Sequence, residues 1–236
     1  MSNTGRSTRP LVRGIMLIAI LGGMALSTAC HPRAPAVANA TSSDASSVLR
    51  RSKARYAALR AYTDTGTIES ADAGKVVSAK WFRTRFERSG QLLYEFGPMP
   101  ASEEGVRTAL LATRAKSARV VDIDDVNPEV GPILTLAEAT GALQGVSLLG
   151  SIFAPRLLYG IDFCECTSDT AWTLQPEELS EGRRLMRVHL RKRPERSLTL
   201  WIDAETLLLR RVQVDDLEDG KSVGTTTIRF QVTRAE

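Results

Sequence analysis

The sequence predicts an α+β fold, in which a helix precedes an antiparallel sheet and a second helical segment interrupts the run of strands. Apolar and polar residues alternate in successive short segments that are separated by turn residues, and in two places helical spacing replaces this alternation. Successive strands joined by short turns form a meander. The 236-residue chain is 43% hydrophobic and 25% charged, which is the composition of a globular domain.

The clearest pair of strands lies at 197–214. Turn residues occupy 203–206, and Arg210 interrupts the apolar row of the second strand. The period of two places each row on one face of a sheet. The rows comprise Leu198, Leu200 and Ile202 in the first strand, and Leu208, Val212 and Val214 in the second.

A second hairpin, at 76–97, carries aromatic side chains on one face and turns at Ser89-Gly90. Pro98 and Pro100 end it, because proline lacks the backbone donor that a central strand needs. Shorter or weaker alternating segments predict the remaining strands, at 64–70, 108–114, 118–124, 171–177, 184–191 and 226–232.

The first 29 residues have the plan of a signal peptide, with three arginines, no acid and a short apolar run at 15–26. That run is too short for an ordinary membrane span. The three arginines leave only +1 of the net charge of +4 for the rest of the chain, so a nucleic-acid-binding surface is not expected.

The sequence Leu-Ser-Thr-Ala-Cys that ends at Cys30 resembles a bacterial lipobox, which implies acylation of Cys30 as the mature N-terminus. His31 follows it, so the familiar Asp signal for inner-membrane retention is missing and the resemblance favours the outer membrane, facing the periplasm. Secretion with cleavage near Ala29 is the alternative. The expected organisation is a signal peptide at 1–29, a flexible tether at 30–43 and one domain at 44–236.

Helical spacing predicts an amphipathic helix from Asp44, its N-cap, to about Tyr62. Its basic side is either a solvated surface or a contact for lipid head groups. The apolar stripe that we expect to pack on the sheet comprises Val48, Leu49, Ser52, Tyr56, Leu59 and Tyr62.

The second helical segment, at 127–159, is rich in leucine and poor in charge, so it must bury most of its surface. Simple packing on the sheet is one interpretation. A movable lid over a ligand cavity is the other, and its residues would include Leu149, Ile152 and Phe153.

Cys164 and Cys166 follow this segment and are separated by one residue. In an oxidising periplasm they can form a local disulfide, although a strand would space them poorly. Because the other soft ligands are only His31 and His189, we expect no metal site and no cofactor.

The segment LTLWIDAETLLLRRVQV resembles a signature of the LolA/LolB-like periplasmic proteins, which carry or receive lipoproteins. The matching residues are Trp201, Ile202, Asp203, Glu205, Thr206, Leu208, Arg210 and Arg211. The resemblance covers about 177–232. It implies an incomplete antiparallel barrel of about 9–11 strands, with an N-terminal helix and a helical lid on its concave face, that binds acyl chains or other hydrophobic ligands.

The predicted ligand site is the apolar face of this sheet. Its residues are Phe82, Phe86, Tyr94, Phe96, Met186, Val188, Leu198, Leu200 and Phe230. The same residues can instead form a closed core. The leading hypothesis is a membrane-anchored lipoprotein that binds lipid or lipoprotein acyl chains for envelope transport. The alternative is a non-catalytic envelope scaffold for a protein partner. The sequence contains no Gly-x-Ser-x-Gly, HExxH or P-loop motif, so an enzyme is not expected.

Overall fold

The computed structural model describes residues 42–100, 108–113, 117–122, 133–140, 153–161, 172–193 and 195–236. The chain divides into two compact units, Met1–Ala38 and Asn39–Glu236, and all described residues belong to the second. Several predicted features lie outside the described residues: the signal peptide, Cys30 and the tether, Leu149, Ile152, Cys164 and Cys166.

Ten strands and three helical segments make up the described fold. The helices are α1 (Ser42–Ala58), α2 (helical residues 136–140) and α3 (Phe153–Leu158). The strands are β1 (Ala61–Asp72), β2 (Lys75–Glu87), β3 (Gln91–Pro98), β4 (Thr108–Thr113), β5 (Ala118–Asp122), β6 (Trp172–Ser180), β7 (Arg183–Arg193), β8 (Arg196–Asp203), β9 (Leu209–Glu218) and β10 (Lys221–Ala235).

The strands form one antiparallel sheet in the order β5-β4-β3-β2-β1-β10-β9-β8-β7-β6. The first and last strands therefore pair in the middle, while β5 and β6 are the two edges. Within the described residues these edges do not pair with each other, so the sheet is open. The predicted α+β fold with an incomplete antiparallel barrel is confirmed.

Helix α1 begins and ends earlier than predicted, since it starts at Ser42 and Asp44 lies in its first turn rather than at the N-cap. It ends at Ala58, and Tyr62 lies in β1 rather than in the last helical turn. Tyr62 continues the helical spacing of the apolar stripe although it lies in the strand. Its ring lies beside that of Tyr56, with 5.5 Å between the centroids. Both rings are fully buried. Among the described residues no helix is long and apolar enough to cross a membrane.

The turn between β8 and β9 is built around the Asp203 carboxylate. Its Oδ1 atom accepts hydrogen bonds from the backbone N–H groups of Glu205 and Thr206, both at 3.0 Å. Its Oδ2 atom forms ion pairs with Arg210 at 3.2 Å and Arg183 at 3.3 Å. Several residues of the sequence signature therefore act in this turn.

Arg210 interrupts the apolar row because the register of β9 shifts at this point. Trp201 pairs with Arg211, whereas the next residue, Ile202, pairs with Leu209. Arg210 is thus the extra residue of a β-bulge, and its side chain is directed to Asp203. This local irregularity explains why the second strand has the less regular pattern.

Gly66 makes room for the aromatic centre of the sheet. It lies on β1 between Phe82 of β2 and Phe230 of β10, whose rings meet edge to face at 5.2 Å between centroids. A Cβ atom at Gly66 would lie 2.3 Å from the Phe82 ring and 2.1 Å from the carbonyl oxygen of Arg229. The close contact of the two rings therefore requires glycine.

We expect Gly66→Ala to lower the free energy of unfolding by about 3 kcal/mol, because a methyl group there collides with backbone as well as with a ring. Urea denaturation measures the change. Gly90→Ala is the matched control, since its Cβ atom would meet nothing closer than 3.6 Å. Equal stabilities of the two variants would contradict this explanation.

Candidate functional site

The nine residues of the predicted ligand site all lie on one face of the sheet, called here the inner face. Each is at most 9% exposed. They belong to one continuous apolar cluster that also includes residues of α1, α2 and α3. The inner face is thus an apolar surface covered by helices.

Cross-strand rows organise the inner face. One row crosses four neighbouring strands, β3, β2, β1 and β10, and comprises Phe96, Phe82, Gly66 and Phe230. A longer row continues to the other edge of the sheet, through Ile68, Ile228, Val212, Leu200, Val188 and Leu174. Because most residues of these two rows are aromatic or branched, they give the face a broad apolar area.

The covering helices are α1 and α3, which contact each other, and α1 also contacts β6 and β7. Phe153, the predicted lid residue within the described part, begins α3 and is buried. All six residues of α3 are buried, including Arg156. Helix α3 ends at Leu158, and the turn that follows it contains Gly160, which has a φ of +76° and whose N–H donates to the carbonyl oxygen of Leu157.

One arginine that sequence reasoning missed joins the ends of both covering helices. The Arg88 guanidinium donates to the carbonyl oxygens of Ala57 at 2.6 Å, Leu59 at 2.9 Å and Tyr56 at 3.3 Å, at the end of α1. Its Nη1 atom donates to the carbonyl oxygen of Leu158, the last residue of α3, at 2.8 Å. One planar cation therefore satisfies carbonyl groups that two helix C-termini leave unpaired.

A polar cluster lies within the apolar inner face, beneath the end of α1. The Tyr62 hydroxyl donates to Oδ2 of Asp64 at 2.6 Å, and the backbone N–H of Thr84 donates to Oδ1 at 3.1 Å. The Tyr56 hydroxyl accepts a bond from the N–H of Leu209 at 3.2 Å and so connects α1 to β9. These side chains are fully buried.

Burial raises the pKa of the Asp64 carboxyl from 3.8 to about 6, although its bonds to Tyr62 and Thr84 act in the opposite direction. Burial also raises the pKa of both tyrosine hydroxyls, and the neighbouring carboxylate adds to the effect. No cation forms an ion pair with Asp64 within the described residues. The carboxylate therefore carries a desolvation cost at neutral pH that two hydrogen bonds only partly offset.

The outer face of the sheet holds a different cluster, centred on Trp201. The Arg211 guanidinium stacks over its ring at 3.8 Å from the centroid, and Glu178 accepts bonds from both the indole N–H and Arg211 at 2.7 Å. Burial raises the pKa of Glu178, but the bonds from Trp201 and Arg211 outweigh it, so the pKa is lowered. The cluster connects β6 to β8 and β9, and its residues do not belong to the inner face.

No family model matches the chain, and no curated protein matches its sequence. Solved structures resemble it in fold. The Pseudomonas aeruginosa MucA/MucB complex matches with 14% identity and a TM-score of 0.44, over 82% of this chain and 58% of the matched chain, which is less than two thirds of it.

Two further matches carry names from the predicted group. A LolA superfamily protein from Nitrosomonas europaea matches at 10% identity, with a TM-score of 0.36, over 79% of this chain and 91% of its own. A putative outer membrane lipoprotein-sorting domain from Vibrio parahaemolyticus matches at 8% identity, with a TM-score of 0.33, over 83% and 94%. These are likenesses of fold at low identity, and they assign no family, ligand, partner or activity.

We expect Asp64→Asn to stabilise the protein at neutral pH. A pKa raised on folding contributes stability that is present at low pH and is lost as the pH rises through about 6. The difference in unfolding free energy between variant and wild type should therefore grow from near zero at pH 4 to about 3 kcal/mol at pH 8. Urea denaturation across this range measures it.

Asp203→Asn is the control of opposite sign. Burial raises the pKa of Asp203, but the N–H groups of Thr206 and Glu205 and the charge of Arg210 outweigh it, and the pKa is lowered. Its contribution is present at neutral pH and is lost as the pH falls, so this variant should be destabilised most at neutral pH. A pH-independent difference for Asp64→Asn would contradict the environment described for its carboxyl.

Proposed function

We propose that this protein is a lipid-anchored binding protein of the bacterial envelope, which holds the acyl chains of a lipid or lipoprotein between the inner face of its sheet and the covering helices. The observation that supports this most is the pairing of a broad apolar face with helices fastened by hydrogen bonds at their ends. Apolar burial contributes about 25 cal/mol per Å² and requires shape rather than particular polar groups.

The fastening by Arg88 gives the proposed lid a means of opening. On opening, the Arg88 hydrogen bonds exchange with water at a small net cost, and an entering acyl chain would cover apolar area that the helices leave. Arg88 also lies against Phe86, with 4.9 Å from its guanidinium carbon to the ring centroid. The side chain is thus placed between the apolar face and both helix ends, where an entering chain would displace it.

The proposal further places Cys30 as the acylated anchor, with residues 31–43 as a tether and the outer membrane as the site of attachment. Two or more acyl chains hold a protein stably at a bilayer, since each buried CH₂ contributes about 0.8 kcal/mol. We expect the protein to transport the bound lipid or lipoprotein between envelope sites without catalysis, because this role requires both the membrane anchor and the ligand site. A protein partner in the envelope is part of the same proposal.

Native mass spectrometry of the purified protein tests ligand binding directly, and we expect co-purifying lipid or acylated peptide. Nile red, an apolar dye without hydrogen-bond donors, provides a second measure through its fluorescence. If the protein carries no lipid and binds neither dye nor added acyl esters, it is a scaffold with a filled core.

Arg88→Ala should loosen both covering helices while leaving the sheet intact. We expect faster amide hydrogen exchange in 44–58 and 153–161, several-fold stronger dye binding, and a loss of about 2 kcal/mol in stability from unpaired carbonyls. Arg234→Ala is the matched control, because it breaks only exposed ion pairs with Glu87 and Glu236. Unchanged exchange in α1 and α3 would exclude Arg88 as the fastening.

Cys30→Ala should move the protein from the membrane fraction to the soluble periplasmic fraction and abolish incorporation of labelled palmitate. Cys164→Ala is the matched control and should leave both unchanged. Labelled palmitate that persists in the Cys30 variant would refute the proposed anchor.

A further inference from the structure

The inner face contains one row whose centre is polar. It runs Tyr94–Thr84–Asp64–Val232 across β3, β2, β1 and β10. The adjacent row on one side is Phe96–Phe82–Gly66–Phe230. A fully buried carboxylate and a fully buried hydroxyl therefore lie side by side within an otherwise apolar surface.

These polar groups have hydrogen-bonding capacity that the described residues leave unused. The Thr84 hydroxyl oxygen is buried, and although its proximity lowers the pKa of Asp64, it makes no hydrogen bond of standard geometry. Asp64 accepts two hydrogen bonds, whereas a carboxylate offers about four acceptor positions. The hydroxyl of Ser52, on the buried stripe of α1, is also without a partner. Unsatisfied buried groups are costly and uncommon in native proteins.

We propose that Thr84 and Asp64 form a hydrogen-bonding subsite for the ligand, and that the acyl chain it takes carries a donor, either a hydroxyl or an amide N–H, close to its head. This inference rests on the proposed function, because the ligand must enter between the inner face and the covering helices. It adds a chemical requirement to a site that is otherwise selective only for apolar shape.

The requirement for a donor follows from the chemistry of the two side chains. An ionised carboxylate can only accept hydrogen bonds, and the Thr84 hydroxyl can accept one while its own O–H donates a hydrogen bond to Asp64. A further donor would stabilise a buried charge that no cation compensates. Chains that lack the donor would leave these groups unpaired, and sites built to pair a polar group discriminate strongly against analogues without it.

Displacement of Nile red at pH 8, where Asp64 is ionised, tests the proposal with three neutral probes of equal chain length. Methyl tetradecanoate has no donor, methyl 3-hydroxytetradecanoate has a hydroxyl donor, and N-methyltetradecanamide has an amide donor. We expect at least one donor-bearing probe to bind about tenfold more tightly than the plain ester, and the two donor probes distinguish the two sources of the donor.

Two variants locate the preference on the protein. Thr84→Val keeps the shape and strand propensity and should reduce the preference to about threefold, whereas Asp64→Asn exchanges an acceptor for a donor and should abolish it. Thr227→Val, on the outer face of β10, is the matched control and should keep the full preference. Thermal melts check that all three variants are folded.

The outcomes separate this inference from the function on which it rests. If the plain ester binds as tightly as both donor probes, or if the full wild-type preference survives in Asp64→Asn and in Thr84→Val, the subsite is refuted while acyl binding stands. If no probe displaces the dye from wild type or from Arg88→Ala, acyl binding itself is refuted and the subsite with it.

Discussion

The pairing of the first strand with the last one is the constraint on which the rest of the structure depends. Because β1 and β10 meet in the centre, the two halves of the sheet extend outward and end at β5 and β6. These edge strands are consecutive in the chain, so the segment that contains α2 and α3 must connect one edge to the other. A connection of that kind can cover the open apolar face and bury its own leucine-rich surface at once.

Covering a sheet with short helices leaves helix ends near the apolar core, and their carbonyl groups require donors. Arg88 supplies them for two helices from the end of a hairpin, and its charge also suits the negative ends of helix dipoles. Near these helix ends the sheet and its cover are therefore joined by polar contacts as well as by apolar packing. On the proposed function, that division allows the cover to move while the sheet, held by its own ladder, keeps its register.

The strands and their inner residues could be predicted because alternation is a local property that each strand carries in full, whereas the open sheet was expected from the resemblance of 177–232 to the LolA/LolB-like signature. The role of Arg88 could not be predicted, because its hydrogen-bond partners are 29 and 70 residues away in the sequence and no pattern distinguishes an arginine at a strand end. Tyr62 was assigned to the helix because a residue at the helix–strand junction continues the helical spacing while already lying in β1. Asp64 could have been noticed in the sequence as an acid with the same alternating spacing as Tyr62 and Ile68, but it lay in the weakest predicted strand.

A buried carboxylate without a cation lowers stability, so its place on the inner face calls for a physical reason. A purely structural role would be served by asparagine, whose amide oxygen can accept from the Thr84 N–H while its NH2 group donates to the Tyr62 hydroxyl oxygen, without a charge. An aspartate differs from asparagine in offering acceptors only, and that difference matters most to a further donor. On the proposed subsite, an apolar surface that discriminates little among apolar chains gains selectivity among chains of equal length from one such group. On the two proposals taken together, the shape of the inner face determines the strength of acyl-chain binding, and the polar row determines its selectivity.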